Sequence, residues 1–311
     1  MRIFEEAAIR CALDPGAAVR AIREAFRADG LKKTTVPAVI NLTIPRVHGE
    51  FHVKSAYVEG VPHVAVKVAS GFYDNTALGL PTGSGLMILF DATTGVPSAL
   101  LLDRGYLTDL RTGAAGAIAA DVLAPAAIET VGMIGSGVQA RHQIACLREV
   151  RQFGRLLAWS LNNDRASRYC AEMRERWGVD ARVADGPETV VRAADLLVTA
   201  TPARAPIVQA AWLRPGIHIT AVGADSPGKQ ELESHCLSRA DRLVVDRLAQ
   251  CLAFGELAHA PGTPAHAELG EIVAGLKPGR TADAQITVAD LTGVGFQDTV
   301  IASAAYAALN R

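Results

Sequence analysis

The sequence predicts an α/β chain, a doubly wound parallel sheet joined to a second α+β region, and three observations carry that reading. First, Thr130–Ile134 is a short apolar run that turns through Gly135-Ser136-Gly137 into a helical stretch beginning near Val138 and running towards Val150. Gly135 permits a tight turn, Gly137 removes the side chain that would keep a pyrophosphate from the backbone, and Ala140 lets the helix pack close on the strand. Second, an apolar run at 156–160 ends about 25 residues beyond the first glycine, as a βαβ unit requires. Third, after a helical stretch at 165–177, further apolar, β-branched runs occur at 194–201, 216–223 and 241–246. Five strands at this rhythm make a Rossmann-type parallel sheet. Glycines also serve tight turns for conformational reasons alone, so the triplet gains its meaning from the strands around it. In that setting the helix N-terminus offers N–H groups and a partial positive charge to the phosphates of a dinucleotide.

The remaining elements follow in chain order. Residues 14–28 alternate apolar and polar at helical spacing (Ala17, Ala18, Ala21, Ile22, Ala25, Phe26), with Asp14 as N-cap and Pro15 in the first turn. Between Val36 and Phe90 the pattern changes to strands at 38–42, 50–58, 64–69 and 86–90, separated by glycine and proline and read as antiparallel. The glycine-rich loop 71–85 is longer than a connection needs and reads as lining a site. A turn at 91–95, a strand at 97–102 and an alanine-rich helix from Tyr106 to Leu123 lead into the parallel domain. Arg111 and Thr112 lie near the entry of that helix, where a guanidinium and a hydroxyl meet phosphate or carboxylate oxygens. Past the last apolar run, helical segments at 249–257 and 269–276 precede an apolar stretch at 284–290 and a closing helix at 299–309.

Bulk properties narrow the partners. A chain of 311 residues, 50% hydrophobic and 20% charged, holds two domains with proper cores. Formal net charge is −1 and neither sign clusters, which speaks against nucleic acid and polybasic membrane binding and for small molecules. Cys11, Cys146, Cys170, Cys236 and Cys251 are odd in number and never spaced as C-x-x-C, so reduced thiols in a cytoplasmic protein are expected. The N-terminus carries acids where a signal peptide needs a basic and then an apolar stretch, and no run of about 18 apolar residues occurs. None of the eight histidines is paired at metal-ligand spacing on a helix face, so no metal is expected.

Three residues stand out for chemistry. Asp225 falls just past the C-terminal end of the fourth strand, where ligands meet an open α/β sheet, and a carboxylate there exchanges a proton with an amine or imine nitrogen; the alternative is a loop or cap acid. Lys67 sits between Val64, Val66 and Val68, so its side chain either snorkels to solvent or points an ammonium into a cleft. Arg111 is a carboxylate or phosphate clamp, or a surface arginine.

Lys67 in Val66-Lys-Val, Gly79-Leu-Pro81, the segments 107–115, 135–140 and 221–229, and Thr292-Gly-Val-Gly-Phe-Gln-Asp298 together resemble the ornithine cyclodeaminase/mu-crystallin family. The resemblance implies a homodimer whose subunits have a substrate and dimerisation domain, set here at 1–118 with 286–311, and a dinucleotide-binding Rossmann domain at 119–285. It also implies use of NAD(H) or NADP(H) to oxidise or reduce amino and imino acids, or to deaminate and cyclise basic amino acids such as ornithine or lysine. A further reading is a non-enzymatic binding protein, as mu-crystallins can be, although a binder has no need of a proton-transfer group. The substrate site it implies comprises Lys54, Lys67, Arg111, Thr82 and Gly293, with Asp225 and Lys67 catalytic. The cofactor site comprises Arg111, Thr112, Gly135, Ser136, Gly137, Val138, Gln139, Ser160, Asn162, Asn163, Arg165, Thr199, Ala200, Thr201, Val222, Gly223 and Lys229.

Two departures bear on specificity. Many family members carry a substrate-binding arginine about 27 residues before the lysine matching Lys67, and here that neighbourhood is Val39-Ile40-Asn41. Lys54 on a neighbouring strand offers a cation instead, as a point charge without a bidentate fork; Arg46 is the other replacement, in a loop. At the tip of the second strand no acid awaits a ribose 2′-OH, whereas Ser160, Asn162, Asn163 and Arg165 all donate to a 2′-phosphate, which favours NADP(H). Asp164 and Arg165 equally suit the N-cap and first turn of the next helix.

Overall fold

The structure, a computed structural model, describes residues 1–310 and divides into two compact units, Met1–Arg111 with the stretch from Val294, and Thr112–Gly293. The first unit is built on a seven-stranded sheet of β1 (Arg2–Glu5), β2 (Thr34–Thr35), β3 (Ile40–Ile44), β4 (Gly49–Val58), β5 (His63–Phe72), β6 (Gly83–Asp91) and β7 (Pro97–Leu102). The order is β1-β7-β6-β5-β4-β2, with β3 also paired to β4. All pairs are antiparallel except β1 with β7. The sequence reading missed β1, a four-residue strand with a charge at each end and no alternation to betray it.

The glycine-rich stretch 71–85 is shorter as a loop than its composition suggests. The β5–β6 ladder continues from His63↔Asp91 out to Gly71↔Gly83, leaving a 3-10 turn at Tyr73–Leu78 that ends at Gly79 in the left-handed region, φ 69°. Glycine punctuates strands as readily as loops when another backbone lies close: a Cβ at Gly85 would stand 2.9 Å from the Val68 carbonyl.

Strand pleating gives this sheet two unlike faces. Ala56, Ala65, Met87, Leu89, Ala99 and Leu101 are buried on one face, with Lys54 and Lys67 among them. That face packs against the closing helix Gly295–Leu309, which in turn packs on the helix Pro15–Gly30. The closing helix begins at Gly295, ahead of the expected 299, because the missing side chain lets its first turn lie on the Ser55 backbone. Thr299 Oγ1 then donates to the Ala56 carbonyl at 2.7 Å and accepts from Ala65 N at 3.1 Å, pinning the helix across β4 and β5. Helix Pro15–Gly30 starts as expected, with Asp14 Oδ1 accepting Ala17 N at 2.7 Å, a cap worth about 1 kcal/mol. On the opposite face Val53, Val64, Val66, Val68, Leu86, Ile88 and Leu100 are only half-buried.

The second unit carries the predicted parallel sheet. Its strands are β8 (Thr130–Ile134), β9 (Arg155–Trp159), β10 (Asp180–Val183), β11 (Leu196–Thr199), then, past β12 (Arg204–Val208), β13 (His218–Ala221) and, past β14 (Gln230–Leu232), β15 (Arg242–Val245), β16 (Ala267–Glu268) and β17 (Thr287–Asp290). The order is β10-β9-β8-β11-β13-β17-β15-β16, parallel throughout, while β12 and β14 form a separate parallel pair. Five strands were legible and three were added: β10 and β16 are short and carry charges, and β17 was set with the first domain. Its pairing with β13 (Ile219↔Val288) and β15 (Val244↔Ala289) puts it in the parallel sheet, so the second unit extends to Gly293, past the sequence boundary at 285. At the other boundary the helix Tyr106–Leu123 joins the second unit from Thr112, earlier than residue 119. Gly113 and Gly116 explain the difference, because they let helix Val138–Leu147 approach so closely that a Cβ at 113 would stand 2.5 Å from the His142 carbonyl.

From β8 the chain runs outward through β9 and β10, then returns to β11 and proceeds the other way. The crevice outside the C-terminal ends of β8 and β11 is therefore the topological switch point, where an open α/β sheet takes its ligand. No helix among the described residues is long and apolar enough to cross a membrane.

Candidate active site

A cavity of about 380 Å³ opens at that switch point. Gly135, Ser136 and Gly137 form one wall, Ser160, Asn162 and Arg165 the rim at the tip of β9, and Ala200 and Thr201 the wall beyond β11. Trp159, Leu161, Pro202, Ala203 and Ile207 complete it with apolar surface that the sequence reading did not assign. Gly135 has φ 108° and its Cβ would stand 2.5 Å from the Ala200 carbonyl, so this glycine is required by the fold. Gly137 differs: a Cβ there meets nothing within 4 Å. Ser136 and Ser160 share a hydrogen bond at 3.0 Å, and Ser160 donates to the Asn162 carbonyl at 2.9 Å. Asn162 caps helix Asn163–Trp177 by accepting Arg165 N at 2.9 Å, so the cap is Asn162 and not Asp164.

Other predicted cofactor residues lie outside the cavity lining. Val138 is exposed at the helix start beside it, and Asn163 opens its own helix. Gln139 Oε1 accepts from Gln143 Nε2 at 3.1 Å, and the Thr112 carbonyl accepts from the same amide at 3.0 Å. Thr199 is fully buried and donates to Glu231 at 2.7 Å, which makes it a support of the wall rather than part of its surface. Val222 is buried, and Gly223 N donates to Glu231 at 2.8 Å. Lys229, read as a cofactor contact, has its Nζ 2.7 Å from Asp225 Oδ1. Ser226 Oγ donates to the same oxygen at 3.1 Å, and the Asp225 side chain remains about half exposed just past β13. Gly293 has its N–H committed to Asp246 at 2.6 Å and its carbonyl to Gln250 at 2.8 Å.

The first unit concentrates buried charge at one place on its sheet. Lys54 and Lys67 stand opposite one another in the β4–β5 ladder, both buried. Lys67 Nζ lies 3.2 Å from Asp298 Oδ2, and Arg111 Nε donates to Asp298 Oδ1 at 3.1 Å. Arg111 also donates through Nη1 to Gln297 Oε1 at 3.1 Å. Burial pushes the Asp298 carboxyl up, but Lys67, Arg111 and Lys54 together hold it below the ordinary range, so it is ionised. Two further acids border this cluster, Asp103 and Asp109, each pushed up to about 6 by burial. Lys67 thus points inward rather than snorkelling. Arg111 is buried rather than a surface arginine, and in the first unit it stands with Lys67 on Asp298. Thr82 is exposed, its carbonyl accepting Phe72 N at 2.7 Å at the open end of the β5–β6 hairpin.

Asp298 and Gln297 were missed as site residues. The available signal was a Gln-Asp pair after Gly-Val-Gly, which places a carboxylate in the first turn of a helix but does not say what it faces. Gln297 Nε2 is buried without a hydrogen-bond partner, and such groups mark a place where a ligand or water completes the bonding.

The chain is similar to known proteins over nearly its whole length. The model of the ornithine cyclodeaminase/mu-crystallin family matches residues 3–311. An uncharacterized cyclodeaminase of Sinorhizobium fredii is 41% identical over 93% of this chain and 89% of its own. The solved dimer of an archaeal alanine dehydrogenase with bound NAD superimposes with a TM-score of 0.92 at 36% identity, covering 99% of this chain and 95% of that one. The Delta(1)-pyrroline-2-carboxylate reductase of Thermococcus litoralis, solved with NADH and L-proline, superimposes with a TM-score of 0.95 at 31% identity, covering 99% and 97%.

Proposed function

This chain belongs to the ornithine cyclodeaminase/mu-crystallin family, and from that premise we propose that it is an NAD(P)-dependent oxidoreductase of a small α-amino or cyclic α-imino acid. The observation that carries the reading is Asp225, a half-exposed carboxylate just past β13, in the same unit and at the same sheet edge as the cavity opened by Gly135 and Gly137. When bound, the nicotinamide supplies or accepts hydride at the substrate α-carbon. Asp225 gives a proton to, or takes one from, the substrate nitrogen. In the first unit, Lys67, Arg111 and Lys54, gathered around Asp298, form a cationic cluster of the kind that binds a carboxylate, and the Gln297 amide adds a donor. Lys54 stands in for the arginine that many relatives carry on the preceding strand.

A second reading, a cyclodeaminase that retains its cofactor, is favoured by the name of the Sinorhizobium fredii relative and would use the same groups. A substrate panel separates them: proline-type imines, alanine, pyruvate with ammonia, arginine, lysine and ornithine, each with both cofactors. Net change at the reduced-nicotinamide absorbance identifies the oxidoreductase. Ammonia release without net change identifies the cyclodeaminase.

For the cofactor, the two solved relatives above contain NAD or NADH, whereas the rim at β9 here has Ser160, Asn162 and Arg165 and no acid. A serine hydroxyl and a guanidinium suit a 2′-phosphate, so NADP(H) is the preferred form. Ser160→Asp is expected to shift the kcat/KM ratio towards NAD(H) by at least about tenfold, through a new acceptor for the 2′-OH and repulsion of the phosphate. If the unmodified protein already uses NAD(H) as well as NADP(H), the strand-tip argument is wrong.

The half-buried sheet face of Val53, Val64, Val66, Val68, Leu86, Ile88 and Leu100 requires a cover, and a second copy of this chain supplies it. Val66 is at the centre of that face, opposite Ser55 and Ile88. Light scattering at micromolar concentration is expected to give a homodimer, and Val66→Arg a monomer; a monomeric unmodified protein would refute the face-to-face assembly.

A further inference from the structure

Behind the dinucleotide cavity lies a buried carboxylate to which nothing above gives a task. Glu231, on β14, has no exposed surface. Its Oε2 accepts Thr199 Oγ1 at 2.7 Å and Gly223 N at 2.8 Å. Its Oε1 accepts Thr201 N at 2.7 Å and Thr201 Oγ1 at 2.8 Å. These donors come from the C-terminal ends of two neighbouring strands, β11 and β13. Thr201 belongs to the cavity wall, and Gly223 accepts Asp225 N at 3.1 Å through its own carbonyl. A Cβ at Gly223 would collide with both the Thr201 carbonyl and the Glu231 carboxylate, so the two loops and the carboxylate form one tight unit. Glu231 is itself held by a second buried acid: Glu256 Oε1 accepts Glu231 N at 2.8 Å, and its Oε2 accepts Leu232 N at 3.0 Å.

We propose that Glu231 is a positioning residue for the reaction, its carboxylate clamping the loop that walls the dinucleotide cavity and the loop that carries Asp225 into one fixed geometry. The inference rests on the reading of Asp225 as the proton-transfer group. Only a carboxylate suits the position, since it accepts at all of its lone pairs, whereas a primary amide presents an N–H₂ group to donors that need an acceptor. Burial opposes the charge, raising the carboxyl to about 7 against the hydrogen bonds from Thr199, Thr201 and Gly223. An apolar side chain there would leave the Thr201 and Gly223 N–H groups without an acceptor, so the two loops depend on this carboxylate for their relation to one another. What it supplies is a fixed relation between two loops.

The test uses Glu231→Gln, Thr199→Val, Asp225→Asn and the two doubles with Asp225→Asn. Measured at saturating substrate, Glu231→Gln is expected to lower kcat at least about tenfold and to weaken NADPH binding at least about fivefold, and Thr199→Val to lower kcat about threefold. On the Asp225→Asn background neither change should lower kcat further by more than about twofold, because a clamp on Asp225 has nothing left to position. Thr199 touches no part of the cavity surface, so its variant keeps the proposal open to refutation if Glu231→Gln does not fold. Full multiplicative losses on the Asp225→Asn background, or a variant that melts lower but keeps kcat and NADPH affinity within about twofold, would reduce Glu231 to a structural residue. Should Asp225→Asn itself retain turnover, the catalytic reading fails on its own; NADPH affinity in Glu231→Gln then decides alone, and an unchanged value overturns the clamp.

Discussion

Gly137→Val is expected to yield a folded protein that no longer binds a nicotinamide dinucleotide. The two glycines of the β8 turn have different reasons for being glycine. At Gly135 the backbone is left-handed and the Ala200 carbonyl is 2.5 Å from where a Cβ would be, so any side chain there breaks the turn itself. At Gly137 the backbone, φ −82°, is open to every residue type, and a Cβ would meet no atom within 4 Å. In the unliganded protein valine at 137 therefore costs little more than a poor helix N-cap, about 1 kcal/mol, and a fall in melting temperature of about 2–4 °C. The open space is nevertheless the approach to the N-terminus of helix Val138–Leu147, where the pyrophosphate must come within hydrogen-bond distance of the backbone. Two methyl groups standing there exclude it, and affinity should fall by at least about 10²-fold. Titration of NADPH fluorescence together with a thermal melt checks both halves. Unchanged affinity in a folded variant would remove the assignment of this cavity to a dinucleotide.

How much of this was legible in the sequence depends on whether local pattern or distant contact decides each feature. Thr130–Ile134 and the turn after it were readable to the residue, because a five-residue apolar strand ending in Gly135 has no competing interpretation in a parallel sheet. Tyr106–Leu123 and Pro97–Leu102 were as clear, the one from its alanine content and the other from its length and flanking turns. The hairpin over Gly83 and Gly85 was hidden, since its strand character comes from pairing with Gly71 and Ala69 and not from side chains. Strand β17 was seen as apolar but misplaced, because strand order is a long-range property. The same division holds in the site. Lys67 and Arg111 were flagged as an inward ammonium or clamp, yet the group that joins them, Asp298, lies far along the chain and no spacing relates the three. Glu231 follows the conspicuous Asp225 closely and still carries no mark of its role, because its partners Thr199 and Thr201 are set by the fold.

The largest effect on turnover is expected from Asp225→Asn. Asp225 stands just beyond β13, half exposed, with Lys229 Nζ at 2.7 Å and Ser226 Oγ at 3.1 Å, both on Oδ1. An asparagine side-chain oxygen accepts from both of those donors, so the loop keeps its shape and the substitution changes little besides charge and proton capacity. What the amide cannot do is take a proton from an amine or return one to an imine nitrogen. With hydride transfer still possible but the nitrogen left in the wrong protonation state, kcat should fall by about 10²-fold or more. NADPH affinity should move by no more than about twofold, since the variant leaves the lining of the cavity untouched. The same substitution would also disable a cyclodeaminase, so it assigns the residue without choosing between the two reactions; the substrate panel makes that choice. Stopped-flow turnover beside equilibrium titration separates the two quantities. Near-full kcat in Asp225→Asn would make Asp225 a loop acid held by Lys229, and would transfer the proton-transfer role to Lys67 acting through a bound water.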